Sequence, residues 1–241
     1  MAEHVLITGS SGAIGKEIAL KMAASGRPLF LHYNASKEKA ESLKRECEGF
    51  GVEVNLIQSD LSRPEGATEL LKGIHSPVEA VIHNSGKSSY GLFTDLDSKD
   101  IQDNIQLHLT SPLELTKSLL PGMIQRRHGH ILVISSIWGL TGAACEVMYS
   151  TVKGGLNTFV KSLAKEAAPS GVYVNGIAPG AIESPMMSAF SPEEKEALRE
   201  EIPMSRLGSP HEVADAAEFL LSSKSSYISG QILSVNGAWY C

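Results

Sequence analysis

Tyr149 and Lys153 stand four residues apart in Tyr149-Ser-Thr-Val-Lys153. On a helix, that spacing puts both side chains on one face, one turn apart. An ammonium beside a phenol favours the phenolate and lowers a tyrosine pKa that starts at about 10. Such a tyrosine can exchange a proton with a carbonyl or hydroxyl oxygen while hydride moves at the neighbouring carbon. Ser136 lies thirteen positions before Tyr149, at the end of an apolar run, and can hydrogen-bond the same oxygen. A Tyr-x-x-x-Lys alone is usually a surface pair. It gains meaning only if the chain also holds a hydride carrier.

A site for one is readable near the N-terminus. Val5-Leu-Ile-Thr-Gly-Ser-Ser-Gly-Ala-Ile-Gly15 runs from an apolar strand through a glycine-rich turn into a helical pattern. Glycines allow close approach to a pyrophosphate, and the helix N-terminus adds free N–H groups and partial positive charge. Gly9, Ser11, Gly12, Ile14 and Gly15 are the candidate dinucleotide contacts. An NAD site usually carries an acid about 20 residues later, near the end of the second strand. Here that window reads Leu31-His-Tyr-Asn-Ala-Ser-Lys37, without an acid. Tyr33, Asn34, Ser36 and Lys37 tolerate or bind a 2′-phosphate, which favours NADP(H). Ser36 also suits the cap of the following helix. Asp60, followed by Leu61, is either a helix cap or an acceptor for the adenine amino group.

These groups need a scaffold. Val5–Thr8, Pro28–Tyr33, Val52–Ile57, Ala80–His83, His130–Ser135, Val172–Ile177 and Ile232–Val235 read as strands. Ile14–Ser25, Ser36–Gly49, Asp100–Arg127, Tyr149–Ala168 and Ser209–Leu221 read as helices. Strands apolar throughout suit a parallel sheet covered on both faces, and the alternation predicts a doubly wound α/β fold. Ser191-Pro-Glu-Glu194 and Ser209-Pro-His-Glu212 are helix starts with a capping box. No linker or repeat interrupts residues 1–241, so one domain is expected.

Composition narrows the function classes. The 241 residues are 42% apolar with 22 further glycines, enough for a sizeable core. Net charge is −6, which argues against a nucleic-acid or anionic-membrane binder. Met1-Ala2-Glu3-His4 has an acid where a secretory leader needs basic residues, and no apolar run reaches about 18 residues. The three scattered cysteines lack metal-ligand spacing, so no metal is expected and a reducing cytoplasm fits.

Thr8–Gly15, His83-Asn-Ser-Gly86, Ser136 with Tyr149 and Lys153, and Pro179-Gly180 resemble, in order and spacing, the motifs of the short-chain dehydrogenase/reductase family. The resemblance covers nearly the whole chain and implies a Rossmann-type sheet of about seven strands. It implies that Ser136 positions substrate, that Tyr149 is the general acid/base, and that Lys153 also holds the nicotinamide ribose. Asn84, Ser85 and Gly86 would lie beside the adenosine ribose. Pro179, Gly180 and Ile182 would meet the carboxamide, with Ser184 near the phosphates. Homotetramers or homodimers are usual in the family.

Arg126-Arg-His-Gly-His130, Val174–Gly180 and Tyr227-Ile-Ser-Gly-Gln231 look like the 3-oxoacyl-[acyl-carrier-protein] reductase branch. Leu107-His-Leu109, Ser136-Ile-Trp-Gly139, Cys145-Glu146 and Val235–Cys241 are similar to a bacterial offshoot of it. That offshoot includes the elongation factor P 5-aminopentanone reductase, which reduces a ketone on a modified lysine. Substrate is therefore expected to be a ketone on modified elongation factor P or a β-ketoacyl thioester on acyl carrier protein. A non-catalytic dinucleotide sensor is the reading from another class.

Several positions depart from the family pattern. Ala13 replaces a usual glycine, and Gly12 is expected to take over the turn. His108 stands at the position of a catalytic asparagine, whose backbone carbonyl is thought to hold a lysine-linked water. It is read as keeping that relay, or as a packed histidine bonded to backbone, and as able to titrate near neutral pH. Arg126 and Arg127 form the only local basic patch for an acidic carrier. Glu146 either attracts a substrate amine or is a solvated loop acid; Trp138 either lines the pocket or packs. His83 is read as a strand-end packing residue, and Ala189–Glu201 as a pocket lid.

Overall fold

The computed structural model describes residues 3–88, 90–184, 187 and 190–241. Seven strands, β1 (His4–Ile7), β2 (Leu29–Tyr33), β3 (Val54–Gln58), β4 (Val78–His83), β5 (Gly129–Ile134), β6 (Val172–Pro179) and β7 (Ile232–Val235), form one sheet. Their order is β3-β2-β1-β4-β5-β6-β7, and every pairing is parallel. The helices are α1 (Ala13–Ala24), α2 (Lys37–Glu48), α3 (Gly66–Lys72), α4 (Ser98–Ile105), α5 (Ser111–Arg126), α6 (Trp138–Thr141), α7 (Val147–Ala167), α8 (Pro192–Glu201) and α9 (Pro210–Leu220).

Alternate strand residues feed two separate cores, as the period-two geometry of a strand requires. Val5, Ile7, Leu29, Leu31, Ile82 and Ile134 pack on Ile18 and Met22 of α1 and Val213 and Ala217 of α9. Leu6, Phe30, Val81, Ile131 and Val133 pack on Leu115 and Met123 of α5 and Leu156 and Val160 of α7. The chain winds outward from β1 through β3 on one side and from β4 through β7 on the other. The strand order therefore reverses between β1 and β4, and in such sheets ligands bind outside the carboxyl ends of the strands there.

Both expected capping boxes form, with Ser191 and Glu194 opening α8 and Ser209 and Glu212 opening α9. Two expectations are corrected. The stretch Asp100–Arg127 is not one helix: α4 and α5 are separated by a wide turn, Gln106–Thr110, where the Ser111 N–H reaches back five residues to the Gln106 carbonyl. Pro112 lies just beyond and has no N–H, so the His108 carbonyl four residues back lacks its regular helical donor. The helices α3 and α6 are additional to those read from periodicity; both are short. Ala189, the first residue of the expected lid, lies outside the described residues, as do Met1 and Ala2; the remainder of the lid stretch contains α8. Among the described residues no helix is long and apolar enough to cross a membrane.

Histidines are built into the sheet and its flank. His32, His83, His108 and His130 have pKa values pushed down to about 4, 3, 3 and 4, in each case chiefly by burial. They are neutral in the folded chain at pH 7. The unfolded chain takes up these protons as pH falls below about 6.5, whereas the folded chain resists until near 3–4. Stability is therefore fully present above about pH 6.5 and falls with acidification, by up to ~1.4 kcal/mol per pH unit per histidine. Thermal melts between pH 7 and pH 5 are expected to show a falling midpoint, with a shallower slope in His130→Gln.

Candidate active site

Thr8, the first residue after β1, ties the two strands of the reversal together. Its hydroxyl donates to the Ile82 carbonyl at 3.3 Å and accepts the N–H groups of Asn84 and Ser85 at 3.0 and 3.1 Å. The Asn84 side-chain amide returns two hydrogen bonds, to the carbonyls of Thr8 and Gly9. The sharp turn falls at Gly9, with φ +64°; Gly12 has φ −79° and is the N-cap of α1, so it does not take over the turn. At Gly15 a Cβ would stand 2.5 Å from the Gly9 carbonyl and 2.7 Å from the Asn84 amide. Ser11 and Ile14 are partly exposed along this turn, and Gly12 is exposed.

His32 was not singled out by sequence reasoning, yet it braces this turn from β2. Its Nδ1 accepts the Gly9 N–H at 3.1 Å, which leaves Nε2 to donate to the Ser59 carbonyl at 3.1 Å. The neutral ring that both contacts need is consistent with its lowered pKa. The available signal was a lone polar residue inside Leu29-Phe-Leu-His-Tyr33.

Beyond β2, Tyr33 is buried while Asn34, Ser36 and Lys37 are exposed. Ser36 occupies the N-cap of α2, but its side chain makes no cap hydrogen bond, so the hydroxyl is not consumed by the helix. Asp60 accepts from the backbone N–H and hydroxyl of Ser62, which holds its carboxyl below the usual range. It caps this tight turn and not α3, whose N-cap is Glu65. Leu61 is a core residue whose carbonyl accepts from Ser111. Pro179, the last residue of β6, and Ile182 beyond it are buried, while Gly180 and Ser184 are partly exposed. A one-residue bridge from Ile182 to Gly208 fixes this stretch.

Ser136, Tyr149 and Lys153 converge at the carboxyl end of β5. The Ser136 hydroxyl accepts the Trp138 N–H at 3.2 Å and lies in polar contact with the Tyr149 side chain. Lys153 is 4% exposed, and its Nζ donates to the Ile134 carbonyl at 2.8 Å and sits 5.4 Å from the Tyr149 ring centre. The expected lowering of the tyrosine pKa is reversed: burial pushes the phenol up to about 12, Glu146 adds in the same direction, and Ser136 opposes. The ammonium faces the ring and the Ile134 carbonyl and is itself depressed to about 8 by burial. Desolvation outweighs the pair attraction here. Tyr149 therefore keeps its proton at neutral pH.

His108 is 1% exposed, and its ring meets the Tyr149 ring edge-on at 5.6 Å. Its Nε2 lies 2.9 Å from the Lys87 carbonyl, and a Cβ on Gly86 would come within 2.7 Å of its ring. The expectation that it titrates near neutral pH is corrected: burial, and secondarily the Lys153 ammonium, lower its pKa to about 3. His83 is a packing residue as expected, buried and paired with Thr116 at 2.8 Å. Trp138 and Glu146 lie together at the mouth of this site, with Glu146 in polar contact with Ser88 and the Trp138 side chain.

The basic patch is not a free surface beside the site. Arg126 is engaged by Glu3 and donates to the Val78 carbonyl, while Arg127 reaches the Pro169 carbonyl. Both residues precede β5 and so lie at the amino end of the sheet, opposite Ser136 and Tyr149.

Residues 9–239 match the family described as "Enoyl-(Acyl carrier protein) reductase". The chain is 52% identical, over the full length of both proteins, to the uncharacterized oxidoreductase YmfI of Bacillus subtilis. It is 37% identical to the 3-oxoacyl-[acyl-carrier-protein] reductase FabG of Aquifex aeolicus, covering 98% of this chain and 96% of that one. Among solved structures, a 3-oxoacyl-(acyl-carrier-protein) reductase from Agrobacterium tumefaciens with NADP bound superposes with a TM-score of 0.92 at 26% identity, covering 98% and 93% of the two chains. Acetoin dehydrogenase YohF from Salmonella typhimurium superposes with a TM-score of 0.91 at 28% identity, covering 99% and 97%. With a dinucleotide turn at the strand reversal and a tyrosine, lysine and serine converging beside it, the chain belongs to the short-chain dehydrogenase/reductase family, in its 3-oxoacyl-[acyl-carrier-protein] reductase-like branch, as an NAD(P)-dependent oxidoreductase acting on CH–OH/C=O groups.

Proposed function

We propose that residues 1–241 act as one domain that reduces a ketone to a secondary alcohol with NADPH, and that the ketone is carried by a protein. The observation behind this reading is the convergence of Ser136, Tyr149 and Lys153 at the carboxyl end of β5, where the serine and tyrosine hydroxyls can hold and protonate one oxygen.

The residues present fit the cofactor. The amino end of α1 has no acidic residue in its first turn and no side-chain cap, so its N–H groups remain for a pyrophosphate. Gly9 to Gly15 leave a cradle that a Cβ would fill, with Asn84, Ser85 and Gly86 beside it. Exposed Asn34, Ser36 and Lys37, with no acid among them, suit a 2′-phosphate. Pro179, Gly180, Ile182 and Ser184 form the opposite wall, and Lys153 would hold the nicotinamide ribose. When bound, the reduced nicotinamide supplies hydride to the carbonyl carbon.

Ser136 orients the carbonyl oxygen, and Tyr149 passes its proton to that oxygen as the hydride arrives. Hydride and proton together convert C=O to CH–OH. The tyrosinate left behind is stabilised by the Lys153 ammonium. The proton that refills Tyr149 would come from solvent by way of the Lys153 ammonium and a water held at the His108 carbonyl, which Pro112 leaves without its helical donor. His108 thus serves through its backbone, while its neutral ring is a packed strut.

Two ketones fit the branch. The FabG relatives favour a β-ketoacyl thioester on acyl carrier protein. The −6 net charge and the engagement of Arg126 by Glu3 disfavour docking of an acidic carrier. A ketone on the modified lysine of elongation factor P is therefore preferred. The functional unit is read as a cytoplasmic homotetramer or homodimer.

Tyr149→Phe is expected to reduce kcat by at least about a hundredfold, the low end of a lost general acid, with NADPH affinity nearly intact by fluorescence titration. Near-wild-type turnover would remove the assignment. Gly15→Ala is expected to weaken NADPH binding more than tenfold. Its helix-propensity gain of about 1 kcal/mol is smaller than the ~1–3 kcal/mol cost of forcing a methyl against backbone. A pH–rate profile for reduction is expected to lack a limb between pH 5.5 and 7 and to fall at about 8, as Lys153 loses its proton. A neutral-pH limb abolished in His108→Gln would contradict this. Side-by-side assays of acetoacetyl-carrier protein and ketone-modified elongation factor P decide the substrate.

A further inference from the structure

The amino end of the sheet, opposite Ser136 and Tyr149, carries polar groups that the reductase reading leaves unused. Glu3 lies just before β1, Glu79 is the second residue of β4, and His128 stands just before β5. These strands are neighbours in the order β1-β4-β5, so the three side chains converge although the chain separates them widely. One donor atom from each, two carboxylate oxygens and an imidazole nitrogen, lies within 4.8 Å of the other two. Among the described residues no other three acids, cysteines or histidines meet in this way.

The spacing inside the group suits ligands better than hydrogen-bond partners. His128 Nε2 stands 3.7 Å from Glu79 Oε2. A hydrogen bond closes at about 2.7–3.2 Å, so the two groups are not bonded to each other. Two donors that are each about 2.1 Å from a tetrahedral zinc stand roughly 3.4 Å apart, so a small inward movement of the exposed His128 ring completes the contact. Each carboxylate also gives one oxygen to a guanidinium: Arg126 engages Glu3 Oε1, and Arg27 Nε is 3.5 Å from Glu79 Oε1. Both arginines are tied down in turn, donating to the Val78 and Leu221 carbonyls at 2.7 Å. They hold the carboxylates from behind, as outer groups orient metal ligands, and leave Glu79 Oε2 toward His128. A further imidazole is near. The His130 ring meets the His128 ring edge-on at 5.7 Å, and its buried Nδ1 has no partner.

We propose that Glu3, Glu79 and His128 form a site for a divalent transition-metal ion, with zinc as its probe, which fastens three neighbouring strands at their amino ends. The donor set decides the class. An imidazole beside carboxylates suits zinc and its neighbours, whereas calcium and magnesium take oxygen ligands throughout. Three protein ligands leave a fourth position for His130 or water. The ion is structural, because the site lies at the end of the sheet away from the reacting centre. The two guanidiniums already offset the carboxylate charge, so affinity is expected in the micromolar range. No short spacing in the sequence announces this set, since its members come from three distant segments.

The test is calorimetric titration of the untagged full chain with Zn²⁺, with thermal melts as a second readout. The wild type is expected to bind one Zn²⁺ per chain and to gain roughly 5 °C in melting midpoint at about a hundredfold excess over Kd. His128→Gln and Glu79→Gln are each expected to weaken binding by at least about tenfold and to lose that gain. His128 is exposed, so its replacement leaves the core intact. His211→Gln removes the exposed His211–Asp215 pair elsewhere on the surface and is expected to bind zinc as the wild type does. Neither an isotherm nor a melting shift up to about 1 mM Zn²⁺ overturns the site. So does binding that survives either His128→Gln or Glu79→Gln, or that is lost in His211→Gln.

Discussion

The strand reversal between β1 and β4 leaves a gap that the molecule must both keep open and hold rigid, and a few polar atoms of Thr8 and Asn84 do both. Thr8 uses its single hydroxyl as donor to β4 and as acceptor from the two residues that follow it. Asn84 closes the loop by donating to Thr8 and Gly9. Because these bonds satisfy the backbone groups left free where the strands separate, the turn can expose the amino end of α1 without a buried polar deficit. His32 adds a third brace from the neighbouring strand.

Desolvation organises the other half of the site. Lys153 is buried enough to lose much of its basicity, yet one carbonyl acceptor keeps its ammonium oriented. The same burial keeps Tyr149 protonated and His108 uncharged. Three groups that would titrate at different pH values in water are thereby set to one arrangement at neutral pH: a proton donor, a nearby cation and a neutral strut. Charge on His108 would sit against both Lys153 and the Tyr149 ring, which is why the packed, unprotonated ring belongs at that position. Glu146 is the exception, an acid placed where burial raises its pKa and, among the described residues, no cation pairs with it.

Much of this was legible beforehand because it is local. The glycine turn, the capping boxes at Ser191 and Ser209, and the four-residue step from Tyr149 to Lys153 depend on neighbours in the chain, so the pattern of residue types carries them. The break in the long helix was also written locally, in Ser111-Pro112, but a continuous apolar periodicity on both sides masked it. Helix α3 was missed because seven residues are too few for a 3.6-residue period to stand out. His32 was passed over for a different cause: its partners, Gly9 and Ser59, are more than twenty residues away on either side.

By itself the sequence determined the winding of the sheet, the place of the dinucleotide turn and the identity of the three residues that converge at the carboxyl end of β5. Periodicity, caps and short spacings encode these, and each is a property of a contiguous stretch. Only the tertiary structure decided the protonation states, the engagement of Arg126 by Glu3, and the meeting of Trp138 with the C-terminal Trp239 and Tyr240. Those outcomes depend on how much water each group loses and on which distant side chain arrives beside it. Burial and long-range contact are set by the packed whole, so no local pattern of residues records them.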